Sequence, residues 1–249
     1  MTAPLPRRVL VIGGSGTLGR VIVQDLLAEA ASVAFTWYLS KDRADALTAA
    51  HPGLTALQLD VTVPGAVATA VNAAADALGG LDALVHCAAL AITPGQSPPA
   101  GTYQKMADLT ADDFALLMQV NVQSAFLAAQ AAVPHMTDGG NIVLLGSVDS
   151  VKPVPSPVHY AASKAALTGL ARAMAKELGR ANVRVNVIAP AILEAGMSEI
   201  VPDDTVQQFL KHSGFGRRGT LKEAAAVVAW FAVHNTYVTA QTVALDGGL

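Results

Sequence analysis

Strand-length apolar runs alternate with helix-length stretches along the whole chain, and that rhythm leaves few architectures open. Residues 8–12, 32–38, 57–61, 83–87, 142–145, 183–188 and 242–245 read as strands. Most are nearly unbroken apolar or β-branched runs, as expected of strands covered on both faces. Helical periodicity fills the intervals. Residues 16–30 place Leu18, Val21, Ile22, Leu26 and Leu27 on one face, and 40–50 open on Ser40 as a capping residue. Residues 66–78 follow Pro64, placed where a first turn tolerates proline, and longer helices cover 111–133 and 158–178 before a last one at 221–233. Repeated strand–helix units predict one doubly wound α/β domain over residues 1–249. It is a Rossmann-type, mostly parallel seven-stranded sheet with helices on both faces.

Composition narrows the function classes. With 52% hydrophobic and 14% charged residues, apolar surface is ample to offset chain entropy, so disorder is excluded. Lys and Arg number 16 against 19 Asp and Glu, with no basic run, so neither nucleic acid nor an anionic membrane is an expected partner. The longest apolar run, 224–233, falls well short of the roughly 18 residues of a spanning helix. Residues 1–8 lack the apolar core of a secretory signal. One cysteine, Cys87, can form no internal disulfide, which fits a cytoplasmic protein. Sparse charge also predicts burial against further copies of the chain.

Between the first strand and first helix lies Gly13-Gly14-Ser15-Gly16-Thr17-Leu18-Gly19. Glycines at 13, 16 and 19 permit a sharp turn, let a pyrophosphate approach the amides of a helix N-terminus, and let that helix pack close to the sheet. Standing alone, the triplet would describe an ordinary turn; its strand–turn–helix context at the chain start points to a dinucleotide. NAD-specific sites carry an acid at the end of the second strand, for the ribose 2′-hydroxyl. Here the segment is Phe35-Thr36-Trp37-Tyr38, followed by Ser40, Lys41 and Arg43. The missing acid and the nearby bases favour NADP(H) over NAD(H), although the same bases could simply decorate a helix start.

Tyr160 and Lys164 stand four residues apart, so their side chains share one helix face. An ammonium so near should lower the phenol's pKa and make it a proton carrier at a carbonyl or alcohol oxygen. Ser147 follows the strand at 142–145, at the sheet edge where ligands bind, and can hydrogen-bond a substrate oxygen or merely cap a turn. Asn121 sits within an apolar helical stretch; a buried amide needs partners, and a water chain toward the lysine would supply them.

Gly13–Gly19, Asn121, Ser147 and Tyr160-x-x-x-Lys164 together resemble the short-chain dehydrogenase/reductase family. The likeness runs to Asp246-Gly247-Gly248 and is most similar to the 3-oxoacyl-(acyl-carrier-protein) reductase branch. It implies that Tyr160 donates the proton, Ser147 orients the carbonyl, Lys164 grips the nicotinamide ribose and tunes Tyr160, and Asn121 anchors a relay water. It implies a cofactor cradle of Gly13, Ser15, Gly16, Thr17, Leu18 and Gly19, extended by Ser40, Lys41, Arg43, Asp60, Val61, Ala88, Pro190 and Leu193, with Tyr160 and Lys164. It also implies a homotetramer, with a dimer as the smaller assembly. The chain departs from the family at His86-Cys87-Ala88-Ala89, Ala191 and Ala195. His86 and Cys87 have no partners at metal-ligand spacing, so no metal is expected.

Two segments shape the substrate side. Residues 90–110, with Pro94, Gly95, Pro98, Pro99 and Gly101, form a long loop, and Lys152-Pro153-Val154-Pro155-Ser156-Pro157 would stiffen a pocket wall. Met197, Ile200, Val201, Phe209, Leu210 and Phe215 belong to 193–216, which the family uses as a lid. The leading reading is NADPH-dependent reduction of a 3-oxoacyl thioester or other hydrophobic ketone. The alternatives are oxidation of a secondary alcohol such as a steroid or sugar, and a non-catalytic dinucleotide sensor or scaffold. An enoyl reductase is disfavoured, because those relatives place the lysine further from the tyrosine.

Overall fold

The computed structural model describes residues 8–92 and 102–249. Its seven-stranded sheet has the order β3 (Thr55–Gln58), β2 (Ser32–Trp37), β1 (Arg8–Ile12), β4 (Ala83–His86), β5 (Gly140–Leu145), β6 (Val183–Pro190) and β7 (Thr242–Leu245). Every neighbouring pair is parallel. Successive side chains point to opposite faces of such a sheet, and both faces need cover. Leu10 and Ile12 of β1 enter one core and Val9 and Val11 the other, none more than 1% exposed. On the first face α3 (Ala66–Leu78), α5 (Ser124–Ala132) and α6 (Val158–Leu178) bury Val71, Ala128 and Leu167. On the second, α1 (Thr17–Ala28), α2 (Lys41–Ala50) and α8 (Leu221–Val233) bury Ile22, Leu47 and Val228. The strand order reverses between β1 and β4, which opens a crevice at their carboxyl ends.

β1, α3, α6, α8 and β7 occupy the expected residues; elsewhere the limits move. β3 ends at Gln58 rather than 61, because the Asp60 carboxylate accepts from the Thr62 amide at 2.9 Å and hydroxyl at 2.7 Å. That local turn replaces ladder pairing. Ser40 holds the N-cap position of α2 but makes no capping hydrogen bond with its side chain. Pro64 lies outside α3, whose N-cap is Gly65 at φ 79°.

The expected helix over 111–133 is interrupted. α4 (Ala111–Met118) passes into a π-helical turn, Gln119–Gln123, before α5. The Ser124 hydroxyl donates to the Val120 carbonyl (2.5 Å), and His86 Nε2 lies 2.7 Å from Ser124 Oγ. Since the hydroxyl hydrogen is already committed, His86 donates and carries its hydrogen on Nε2. Burial holds His86 neutral, its pKa lowered to about 3. Ala111–His135 as a whole has the length and apolarity of a membrane span, yet 44% of its most apolar window is buried within the domain.

Candidate active site

A cavity of about 1100 Å³ opens where β1, β4, β5 and β6 end. Its floor on one side is the glycine loop. Gly13 adopts φ 81°, and a Cβ there would stand 2.7 Å from the Ala88 amide nitrogen. A Cβ on Gly19 would meet the Gly13 carbonyl oxygen at 2.2 Å. The loop is pinned to β2 by the Gly13 amide, which donates to Thr36 Oγ1 at 2.9 Å. Ser15, Gly16, Thr17 and Leu18 line the cavity at the start of α1, where the first-turn amides and the helix dipole favour an anion. This glycine-rich cradle fits a pyrophosphate.

Ser40, Arg43, Asp60, Val61, Ala88, Pro190 and Leu193 also line the cavity. Lys41 does not; its ammonium is paired with Asp45 one turn on, at 2.7 Å. Thr62 hydrogen bonds hold Asp60 below the usual carboxylate range, and the Asp60 carboxylate in turn pushes the Tyr38 phenol up.

Tyr160, Lys164 and Ser147 converge on the same cavity. Lys164 is 2% exposed; its Nζ donates to the Leu145 carbonyl at 2.7 Å and lies 5.7 Å from the Tyr160 ring centroid. Burial lowers its pKa to about 8, against the opposing pull of Cys87 and Asp149. The expectation of a lowered phenol pKa is corrected: burial, then the Asp149 carboxylate, push Tyr160 up, with a Ser147 hydrogen bond opposing. The ammonium is engaged by Leu145 beside the ring, so desolvation prevails. Cys87, also on the cavity wall, is raised to about 11 by burial and stays a thiol.

The Asn121 side chain is hydrogen-bonded within the protein. Its Oδ1 accepts from the Leu90 amide at 2.8 Å, while Nδ2 donates to the Leu90 carbonyl at 2.8 Å and to Ser163 Oγ at 2.9 Å. It is not on the cavity wall but clamps the segment after β4, where Ala88 to Ala91 line it.

Of the lid residues, Met197, Ile200, Val201 and Phe209 face the cavity, the last from α7 (Asp203–His212). Leu210 and Phe215 do not; Phe215 is exposed beneath the Arg217 guanidinium. All of residues 152–157 line the cavity, and Lys152 pairs with Asp246 at 2.5 Å. Pro94, Gly95, Pro98, Pro99 and Gly101 lie outside the described residues. Two cavity groups escaped the sequence reading. Tyr103 hydrogen-bonds Thr205 of α7, joining the long loop to the lid. Asp149 accepts the hydrogen of the Ser147 hydroxyl; the Ser-x-Asp turn after β5 was its one local signal.

A family model described as Enoyl-(Acyl carrier protein) reductase matches residues 14–249. The chain is 32% identical over 245 residues to the cyclic-di-GMP-binding biofilm dispersal mediator protein of Escherichia coli (strain K12), covering 97% of this chain and 96% of that one. It is 32% identical over 246 residues to the 3-oxoacyl-(acyl-carrier-protein) reductase MabA of Mycobacterium tuberculosis (strain ATCC 25618 / H37Rv), covering 98% and 92%. Among solved structures, a short chain dehydrogenase from Burkholderia cenocepacia J2315 in complex with NADP matches with TM-score 0.85 at 32% identity over 97% of each chain.

Proposed function

The chain belongs to the short-chain dehydrogenase/reductase family, and from that premise we propose that it reduces a hydrophobic ketone or 3-oxoacyl thioester with NADPH, Tyr160 giving the proton. Membership makes it an NAD(P)-dependent oxidoreductase of the CH–OH/C=O pair. The observation that carries the finer reading is the convergence of Ser147, Tyr160 and Lys164 on the cavity whose floor is the glycine loop.

The glycine-loop amides would hold the pyrophosphate, Ser40 and Arg43 the 2′-phosphate, and Lys164 the nicotinamide ribose. The reduced nicotinamide, when bound, supplies the hydride. As charge develops on the ketone oxygen, Tyr160 delivers its proton there and Ser147 orients the oxygen by hydrogen bonding. A phenol whose pKa is pushed up is protonated at neutral pH, the form that a proton donor in ketone reduction requires. The one-turn Tyr160–Lys164 spacing speaks against enoyl reduction. Val148, Val154, Met197 and Phe209 supply an apolar wall for the substrate. The relative named for cyclic-di-GMP binding raises a sensor reading, but Ser147, Tyr160 and Lys164 together at the cavity favour catalysis.

Tyr160→Phe should abolish turnover, by roughly 10²–10⁴-fold, with NADPH binding largely intact. Retention of more than about a tenth of the wild-type rate would remove Tyr160 from the acid role. For assembly, the reading is a homotetramer in the cytoplasm. Phe114, Phe126 and Val158 leave 42–44% of their surface exposed on α4, α5 and α6, and Trp230 leaves 46% on α8, which supports burial against further copies.

A further inference from the structure

An acid that the reductive step does not require stands beside the reacting groups. Asp149 lines the cavity with Ser147 and Tyr160, and its Oδ2 accepts the Ser147 hydroxyl hydrogen. The nearby cations are committed elsewhere: Lys152 to Asp246 and the Leu249 carbonyl, Lys164 to the Leu145 carbonyl. The charge of Asp149 is felt at Tyr160, Tyr103 and Lys164, so the carboxylate faces the reacting space.

Hydrogen accounting then restricts the substrate. A serine hydroxyl carries one hydrogen, a phenol one, and a carboxylate none. A ketone oxygen only accepts. When it draws the hydrogens of both Ser147 and Tyr160, Asp149 loses the donor it holds in this structure. A partly buried carboxylate without that donor opposes binding, unless the substrate brings a replacement.

We propose that Asp149 selects ketones bearing a hydroxyl on the carbon next to the carbonyl, so that this hydroxyl donates to Asp149 while the ketone oxygen accepts from Ser147 and Tyr160. This rests on the roles of Ser147 and Tyr160 given above, and it chooses the hydroxylated ketone over the 3-oxoacyl thioester. The carbonyl π bond breaks, the carbon gains hydride from the reduced dinucleotide, and the oxygen gains the Tyr160 proton. The neighbouring hydroxyl keeps its hydrogen, and the product is a vicinal diol. Val154, Met197 and Ile200 line the same cavity and suit an apolar substituent on the carbonyl.

The test compares 2-hydroxyacetophenone with 2-methoxyacetophenone, which share the electron-withdrawing oxygen and differ in the donor hydrogen. Wild type with NADPH should favour the hydroxy ketone in kcat/KM by roughly 10–100-fold, the range of a hydrogen bond to a charged group. In Asp149→Ala the ratio should fall to near one; Asp149→Asn, which keeps the turn, should lower it and guards against a folding defect. A wild-type ratio near one, or an undiminished ratio in both variants, overturns the proposal. A second readout needs no turnover: calorimetric affinity of the enzyme saturated with oxidised NADP for 2-hydroxyacetophenone against 2-methoxyacetophenone. The same preference should appear in wild type and vanish in Asp149→Ala, and equal wild-type affinities overturn the proposal. Tyr160→Phe should keep this binding preference while losing turnover, so failure of the acid assignment is distinguishable from failure of the Asp149 assignment.

Discussion

Replacing Lys164 by methionine should change how stability depends on pH, in a direction set by burial. The ammonium is 2% exposed, and its pKa falls from 10.5 to about 8 in the folded chain. Between those values the unfolded chain binds more protons than the folded one, so stability rises with pH. Below about pH 8 the full penalty for the buried ammonium is present, and it is relieved as pH climbs toward 10.5. Integrated from pH 7 to pH 9.5, one such group contributes about 2 kcal/mol. Methionine is close in volume and cannot titrate, while the lost hydrogen bond to the Leu145 carbonyl is the same at both pH values and cancels. Thermal unfolding of the cofactor-free proteins at the two pH values gives the comparison. Wild type should gain roughly 4–8 °C relative to Lys164→Met on going from pH 7 to 9.5, for a chain of this size. Identical pH shifts in the two proteins, or a relative loss by wild type, would refute the depressed ammonium. The same depression predicts a fall in wild-type kcat/KM above about pH 8.

Gly19→Ala should displace the Gly13 carbonyl, which its Cβ would meet at 2.2 Å, and weaken NADPH binding at least roughly tenfold, as read by cofactor fluorescence. Unchanged affinity would mean that the loop can yield there. Arg43→Ala should raise the KM for NADPH and leave that for NADH nearly unchanged, whereas Lys41→Ala, freed only from Asp45, should affect neither. Equal wild-type kcat/KM for the two cofactors would defeat the NADP assignment. Light scattering at micromolar concentration should give four times the 25.5 kDa chain mass; a value of 25.5 kDa would defeat the oligomer.

The sequence by itself determined what depends on local pattern. Unbroken apolar runs such as 9–12 and 142–145 could only be strands covered on both faces, so a parallel sheet between helix layers followed. The four-residue interval between Tyr160 and Lys164 placed both on one face of α6 before any packing was known. Tertiary structure decided what each polar group is bonded to and which charges it feels. Asn121 finds Leu90, 31 residues away, and lies in a π turn that helical periodicity does not mark. Asp60 turns to Thr62 and leaves β3, while Lys41 turns to Asp45 and leaves the cavity wall. The direction of the Tyr160 shift depended on burial and on Asp149 outweighing a lysine that spends its hydrogen bond on Leu145. Apolar periodicity records which face of an element is buried, because every residue on that face contributes to it. A hydrogen-bond partner or a pKa depends on a few atoms brought together from distant segments, and that choice leaves little periodic trace along the chain.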